Sequence, residues 1–67
     1  MSRKNILAQN IKKLRKQLKL SQEELAKKAG ITYSTLIKIE SGANENPTIK
    51  TLVQIAKALN VKVDDLI

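Results

Sequence analysis

Cysteine and histidine are absent from this 67-residue sequence, and Tyr33 is its one aromatic residue. Without cysteine, neither disulfides nor thiolate-bound zinc can hold the fold together. Without histidine or cysteine, the usual catalytic bases, nucleophiles and metal ligands are also missing. We therefore expect a protein that is not an enzyme and that has neither a metal ion nor another cofactor.

Long apolar runs are missing as well. No stretch of 18 or more apolar residues occurs, so the sequence predicts no membrane-spanning helix. The N-terminus, MSRKN, leads into a lysine-rich segment without the apolar core of a signal peptide, which predicts a cytoplasmic protein. A single domain this short buries only about 60% of its unfolded surface. A compact bundle of closely packed helices fits these limits, and dimerisation could add to its stability.

Acidic residues are absent before Glu23, although the whole chain carries a formal net charge of +7. Such an excess favours a polyanionic partner, either nucleic acid or an anionic membrane surface. Membrane binding is the weaker hypothesis because the lysines have no aromatic anchor beside them. For any single lysine, a solvated helix face is the alternative interpretation. The basic residues of the acid-free segment are Arg3, Lys4, Lys12, Lys13, Arg15, Lys16 and Lys19.

Apolar spacing and capping signals predict five helices. The first begins near Asn5, or at Ser2, and an apolar 4-3-4 spacing runs along it. Ser21 followed by Glu24 forms a capping box before the second helix, and Thr32 caps the third. The apolar stripe of the first helix consists of Leu7, Ile11, Leu14 and Leu18. The predicted helices cover about residues 5–19, 22–29, 33–41, 48–59 and 63–67.

The segment QEELAKKAGITYSTLIKIE, residues 22–40, has the spacing of a helix-turn-helix. Ala26 lies where only a small side chain lets the next helix approach. Gly30 lies where the chain must turn with a positive φ. The second helix of such a motif enters the DNA major groove. The apolar positions that close the angle between the helices are Leu25, Ala29, Ile31, Leu36 and Ile39.

A helical wheel divides the third helix into two faces. The face with the apolar residues, which is needed for packing, holds Thr32, Thr35, Leu36, Ile39 and Glu40. The outward face holds Tyr33, Ser34, Ile37, Lys38 and Ser41. Because its N-terminal end is polar and able to form hydrogen bonds, we predict that the outward face meets base edges.

The roles of single residues on the outward face stay open. Tyr33 contacts a base or a phosphate, or it packs on the surface of the second helix. Lys38 can reach guanine O6 and N7, or a phosphate. Ile37 meets a thymine methyl group, or it is a tolerated surface residue. Ser34 can donate or accept a hydrogen bond but discriminates weakly alone.

Arg15 and Glu40 lie at the borders of the apolar stripes of the first and third helices. Opposite charges that point toward one core are costly unless they meet. We therefore predict a partly buried ion pair that fixes the third helix on the first. Two solvated charges are the alternative.

Over roughly residues 6–67 the chain resembles the phage-repressor and Cro type of helix-turn-helix, also called the XRE-like family. The resemblance implies an all-α, compact five-helix bundle of the lambda-repressor-like DNA-binding type, with the helix-turn-helix formed by helices two and three. It also implies a prokaryotic or phage-encoded transcriptional regulator, a repressor that binds a palindromic operator in double-stranded DNA as a homodimer. The segments that carry it are LSQEELAKKAGI at 20–31, IESG at 39–42, NPTIKTLVQIAKALNV at 46–61 and VDDLI at 63–67.

The same resemblance assigns roles to single residues. It implies base-reading positions at Tyr33, Ser34 and Lys38. Contacts to the DNA backbone are implied for Gln22, Thr32, Thr35 and Asn44, together with the amides that open the fourth helix. Gln22 could also brace Tyr33. No small-molecule ligand is implied.

Two questions have alternative answers. The apolar C-terminal end, formed by Val63, Leu66 and Ile67, could pair two chains or could just cover the bundle. The same fold could also serve protein–protein interaction, as an antitoxin or a bridging factor, instead of DNA binding.

Overall fold

A computed structural model describes residues 6–67, and all regular secondary structure in this range is helical, with no residue in a strand. This confirms the predicted all-α class for residues 6–67. The elements, in chain order, are the helices α1 (Ile6–Gln17), α2 (Gln22–Ala29), α3 (Tyr33–Glu40) and α4 (Ile49–Leu59), and a 3-10 turn, Val63–Asp65. None of these helices is long and apolar enough to cross a membrane. The positions proposed for the start of the first helix, Ser2 and Asn5, and the basic residues Arg3 and Lys4 lie outside the described residues.

The prediction of a fifth helix over residues 63–67 is wrong. After α4, Asn60 adopts the left-handed conformation (φ 63°), which ends the helix. Val63–Asp65 then forms a 3-10 helix, at whose end the Leu66 N–H donates to the Val63 carbonyl at 2.9 Å. The Asp65 carboxylate accepts a hydrogen bond from the Lys62 N–H at 3.0 Å. Its i→i−3 bonds make the segment a 3-10 helix instead of the predicted α-helix, so four α-helices make up the bundle over residues 6–67.

α1 ends at Gln17, two residues before the predicted end. The chain turns there because Lys19 takes a left-handed backbone conformation, with φ 58°. In this turn the Leu20 N–H donates to the Arg15 carbonyl at 3.1 Å. The early end also removes Leu18 from the apolar stripe, and its side chain is 46% exposed.

The turn between α2 and α3 is held by caps on both sides. At its start Gly30 has φ 74°, and the following Ile31 N–H donates to the Ala26 carbonyl at 3.0 Å. A Cβ on Gly30 would meet Gln54 Nε2 at 3.6 Å, an ordinary contact, so the positive φ rather than a lack of space requires glycine here. Thr32 then caps α3 by accepting a hydrogen bond from the Thr35 N–H at 3.1 Å. The caps set the angle at which α3 leaves α2.

The core lies where α2 packs against α3 and α4 and where α1 packs against α3. Ala26 is buried in it, in agreement with its predicted role as the small residue between two helices. Leu66 is fully buried and covers the bundle, while its neighbour Ile67 is 68% exposed. The largest fully buried side chains are Ile11, Leu25, Leu36, Ile39, Ile55 and Leu66.

Replacing Lys19 by glycine should raise the free energy of unfolding by about 0.5–1 kcal/mol. A side chain in the left-handed region costs about 1–2 kcal/mol, and glycine offsets part of this gain through the greater entropy of the unfolded chain. Urea unfolding followed by circular dichroism measures the change.

Lys12→Gly is the matched control because Lys12 is an exposed lysine within α1. It removes the same charge from a helical position, where glycine costs about 1 kcal/mol. Similar losses of stability in both variants would mean that the left-handed conformation of Lys19 carries no strain.

Candidate nucleic-acid interface

A buried ion pair joins α1 to the end of α3. Arg15 Nε lies 2.8 Å from Glu40 Oε2, and Arg15 Nη2 lies 3.1 Å from Glu40 Oε1. The side chains are only 11% and 2% exposed. This two-bond geometry uses the planar guanidinium as a fork and fixes the direction of both side chains.

Two further hydrogen bonds extend this pair into α2. Arg15 Nη1 donates to the Leu20 carbonyl at 2.8 Å, and Gln22 Nε2 donates to Glu40 Oε1 at 3.0 Å. Glu40 therefore accepts three hydrogen bonds, from two residues on two helices. We call Arg15, Glu40, Gln22 and the Leu20 carbonyl the Glu40 network. It ties α1, the turn that follows it, the first residue of α2 and the last residue of α3 to one carboxylate.

The outward face of α3 is open to solvent at both ends. Tyr33, the first residue of the helix, is 49% exposed. Ser34 and Lys38 are exposed as well, and Ile37 is half-buried between them. No hydrogen bond within residues 6–67 joins Gln22 to Tyr33, so the amide that could brace Tyr33 is bonded to Glu40 instead. α3 thus presents a hydroxyl, a phenol, an ammonium and an aliphatic group on one surface, and these are groups that can read base edges.

Two threonine pairs open α3 and α4 in the same way. The Thr32 hydroxyl accepts from the Thr35 N–H and donates to Thr35 Oγ1 at 2.8 Å. Thr48 accepts from the Thr51 N–H and donates to Thr51 Oγ1 at 3.0 Å. Either hydroxyl of a pair can donate in this bond, so one hydroxyl proton of each pair stays free for an outside acceptor.

The loop after α3 holds Asn44 against the helix. The Asn44 N–H donates to the Lys38 carbonyl at 2.9 Å, and Asn44 Oδ1 accepts from the Asn46 N–H at 3.0 Å. Gly42 has φ 86° in the turn that leads there. Because the side-chain oxygen already accepts a hydrogen bond within the loop, the amide nitrogen of Asn44 is the group that can donate to a phosphate.

The structure connects some of the candidate residues and leaves others separate. Gln22 is bonded into the Glu40 network and Thr32 is bonded to Thr35, whereas Asn44 is connected to α3 only through its backbone. Sequence reasoning missed the contact between Gln22 and Glu40. It also missed the pairing of Thr48 with Thr51, although the repeated T-x-x-T pattern at 32–35 and 48–51 is a signal that could have pointed to it. Among the described residues no cluster of three or more His, Cys, Asp or Glu side chains could hold a metal ion.

Removing Glu40 alone should destabilise the fold far more than removing the whole ion pair. Glu40→Leu leaves the Arg15 charge buried without its partner, which costs about 3–5 kcal/mol. That is comparable to the total stability of a domain of this size. The double variant Arg15→Met/Glu40→Leu removes both charges and should recover most of the loss, as measured by thermal unfolding. If the double variant is as unstable as the single one, the packing of these side chains rather than their charge is what matters.

A family model described as helix-turn-helix matches residues 11–66 of the chain. The uncharacterized HTH-type transcriptional regulator YqaE of Bacillus subtilis is 42% identical over 62 residues, which are 92% of this chain and 53% of YqaE. The chain therefore spans about half the length of that relative. The control protein C.SmaI of Serratia marcescens is 40% identical over 67 residues, which are 100% of this chain and 79% of C.SmaI.

A solved structure is similar as well. It is the crystal structure of SinR, described as the master regulator for biofilm formation, in complex with DNA. SinR superposes on this chain with a TM-score of 0.86 at 40% identity. That match covers 90% of this chain and 98% of the SinR chain.

Proposed function

The chain belongs to the helix-turn-helix family, and from this premise we propose that it is a sequence-specific DNA-binding regulator of transcription. The observation that carries the proposal is the outward face of α3, which is polar and exposed, while the Glu40 network holds the helix in position. α3 enters the major groove with this face toward the base edges. The SinR structure supports this arrangement because a protein of similar fold is seen there together with DNA.

The distribution of charge supports DNA as the partner. The net charge of +7 attracts a polyanion. The acidic side chain of Glu40 is buried and paired with Arg15. This carboxylate therefore opposes an approaching phosphate backbone less than a free one would.

Residue roles follow from position and from free hydrogen-bonding capacity. Base edges are read by Tyr33, Ser34, Lys38 and Ile37. Phosphates are bound by Gln22, Thr32, Thr35 and Asn44, with the backbone N–H group of Thr32 and the hydroxyl group of Thr35 as the donors of that pair. Arg15 and Glu40 form the ion pair that holds α3 against α1. The proposal assigns no catalytic step to the chain.

We further propose that the protein binds a palindromic operator as a homodimer in the cytoplasm and represses by blocking a promoter. A dimer needs a self-complementary patch on each copy. The candidate patch is an open apolar groove of about 470 Å³, lined by Ile6, Leu7, Leu52 and Ile67 among others. Ile67 is 68% exposed and Ile6 44% exposed, so a second copy would cover apolar surface that solvent now meets.

Selection of binding sites from a random duplex DNA library, at physiological salt, tests this function. We expect an enriched inverted repeat whose half-sites are about 10 bp apart, one turn of DNA. An enriched single half-site would keep sequence reading but contradict the dimer. No enrichment would contradict the proposed function and would favour a protein-binding role, as in an antitoxin or a bridging factor.

Variants of single residues should separate base readers from phosphate binders. Tyr33→Ala and Lys38→Ala should change which sequences are selected, while Gln22→Ala should weaken binding to all sequences alike. Lys38→Ala should also leave unchanged the slope of the logarithm of the DNA-binding constant against the logarithm of salt concentration. If Lys38 contacted a phosphate instead of a base, its loss would change this slope by about 0.9. Lys57→Ala, which removes an exposed lysine of α4, is the control for loss of charge. Equal losses on every sequence for Tyr33→Ala and Lys38→Ala would contradict their role as readers.

A further inference from the structure

We propose that Glu40, a residue that does not touch DNA, is a positioning residue that prepares Gln22 to bind a phosphate. The inference rests on the proposed function and deepens it. Its basis is the hydrogen bond from Gln22 Nε2 to Glu40 Oε1, 3.0 Å long, between the first residue of α2 and the last residue of α3.

The chemistry of the two side chains fixes the orientation of the Gln22 amide. An ionised carboxylate only accepts hydrogen bonds, so the amide nitrogen of Gln22, and not its oxygen, must face Glu40. That nitrogen carries two protons, and Glu40 takes one of them. The second proton is the one that Gln22 gives to a phosphate oxygen. The amide nitrogen thus bridges two anions, one buried in the protein and one on the DNA.

Burial of Glu40 fixes the acceptor of this hydrogen bond. Its side chain is 2% exposed, so it cannot turn toward solvent or reach a phosphate itself. Arg15 holds both of its oxygens, at 2.8 and 3.1 Å, and so fixes the position of Oε1 to which Gln22 is bonded. The Arg15 charge also offsets the negative charge that Glu40 would otherwise present to DNA. Glu40 is therefore a fixed and neutralised acceptor.

A positioned glutamine binds better than a free one. The free side chain has several rotatable bonds, and ordering it at the moment of binding would cost part of the affinity. In this protein the ordering has already taken place on folding. Because phosphates are common to all sequences, the gain should be the same on every DNA and should leave the preferred sequence unchanged.

A double-mutant cycle on DNA affinity tests the coupling of the two residues. Gln22→Ala is measured in the native background and in two backgrounds without the ion pair, Arg15→Met/Glu40→Gln and Arg15→Met/Glu40→Leu. In the first of these backgrounds the amide oxygen introduced by Glu40→Gln can still accept from Gln22, whereas the second background has no acceptor. The probe is the duplex selected by the native protein, together with a random-sequence duplex of equal length.

We expect Gln22→Ala to weaken binding about tenfold in the native background, as for a hydrogen bond to a charged group. The loss should persist in part with Glu40→Gln, which keeps an acceptor without the Arg15 fork, and should fall to less than about twofold with Glu40→Leu, on both duplexes. Equal losses in all three backgrounds would overturn the inference, because Glu40 would then act on the fold alone. Gln17→Ala, on the face of α1 opposite Arg15, should leave affinity unchanged in each background.

The native protein without DNA provides a second test that needs no stable variant of Glu40. In side-chain amide NMR spectra, one Gln22 proton should be shifted downfield and should exchange with solvent about tenfold more slowly than the protons of exposed Gln17. Exchange as fast as that of Gln17 would overturn the inference, even for a protein that binds DNA. If the proton is protected but no DNA sequence is enriched, the positioning is right and the proposed function has failed.

Discussion

The buried carboxylate of Glu40 is the constraint on which the arrangement of α1, α2 and α3 depends. Each of its oxygens needs a donor, because an ionised group without partners is very costly in a core. Arg15 supplies two donors from α1, and Gln22 supplies a third from α2. Arg15 in turn donates to the Leu20 carbonyl in the turn between those helices. If any one of these segments moved, a buried polar group would lose its partner, so the three helices are held in a single relative position.

Such a network gives orientation rather than stability. Replacing a buried ion pair by apolar residues of similar size is often neutral or even favourable for folding. An apolar contact at this place would, however, tolerate small rotations of α3 because it has no direction. Hydrogen bonds of 2.8–3.1 Å do have direction and fail when the angle changes. A helix that places side chains against base edges, as we propose for α3, needs this directional constraint more than it needs extra stability.

The sequence predicts the motif well because its signals are local and steric. The positive φ of Gly30, the burial of Ala26 and the capping box at Ser21 and Glu24 depend on residues within one or two turns, and the resemblance to the repressor family is confirmed by the family model. Other features have no such local signal. Lys19 takes a left-handed conformation that propensity disfavours, and Val63–Asp65 forms a 3-10 helix instead of an α-helix. The partner of Gln22 lies 18 residues away in sequence, and no local pattern marks such a contact.

In the proposed function, one face of α3 serves folding and the other serves recognition of DNA. Leu36, Ile39 and Glu40 are buried, and each is fixed by the neighbours it must fit. Ser34 and Lys38 contact solvent, so a change there costs the fold little. The specificity of the surface can therefore change one residue at a time while the Glu40 network stays the same. Gln22 differs from Ser34 and Lys38, because it is part of the Glu40 network and, in our proposal, also contacts DNA. A substitution at Gln22 consequently changes both, and for this reason its effect on DNA binding can be interpreted only together with that of Glu40.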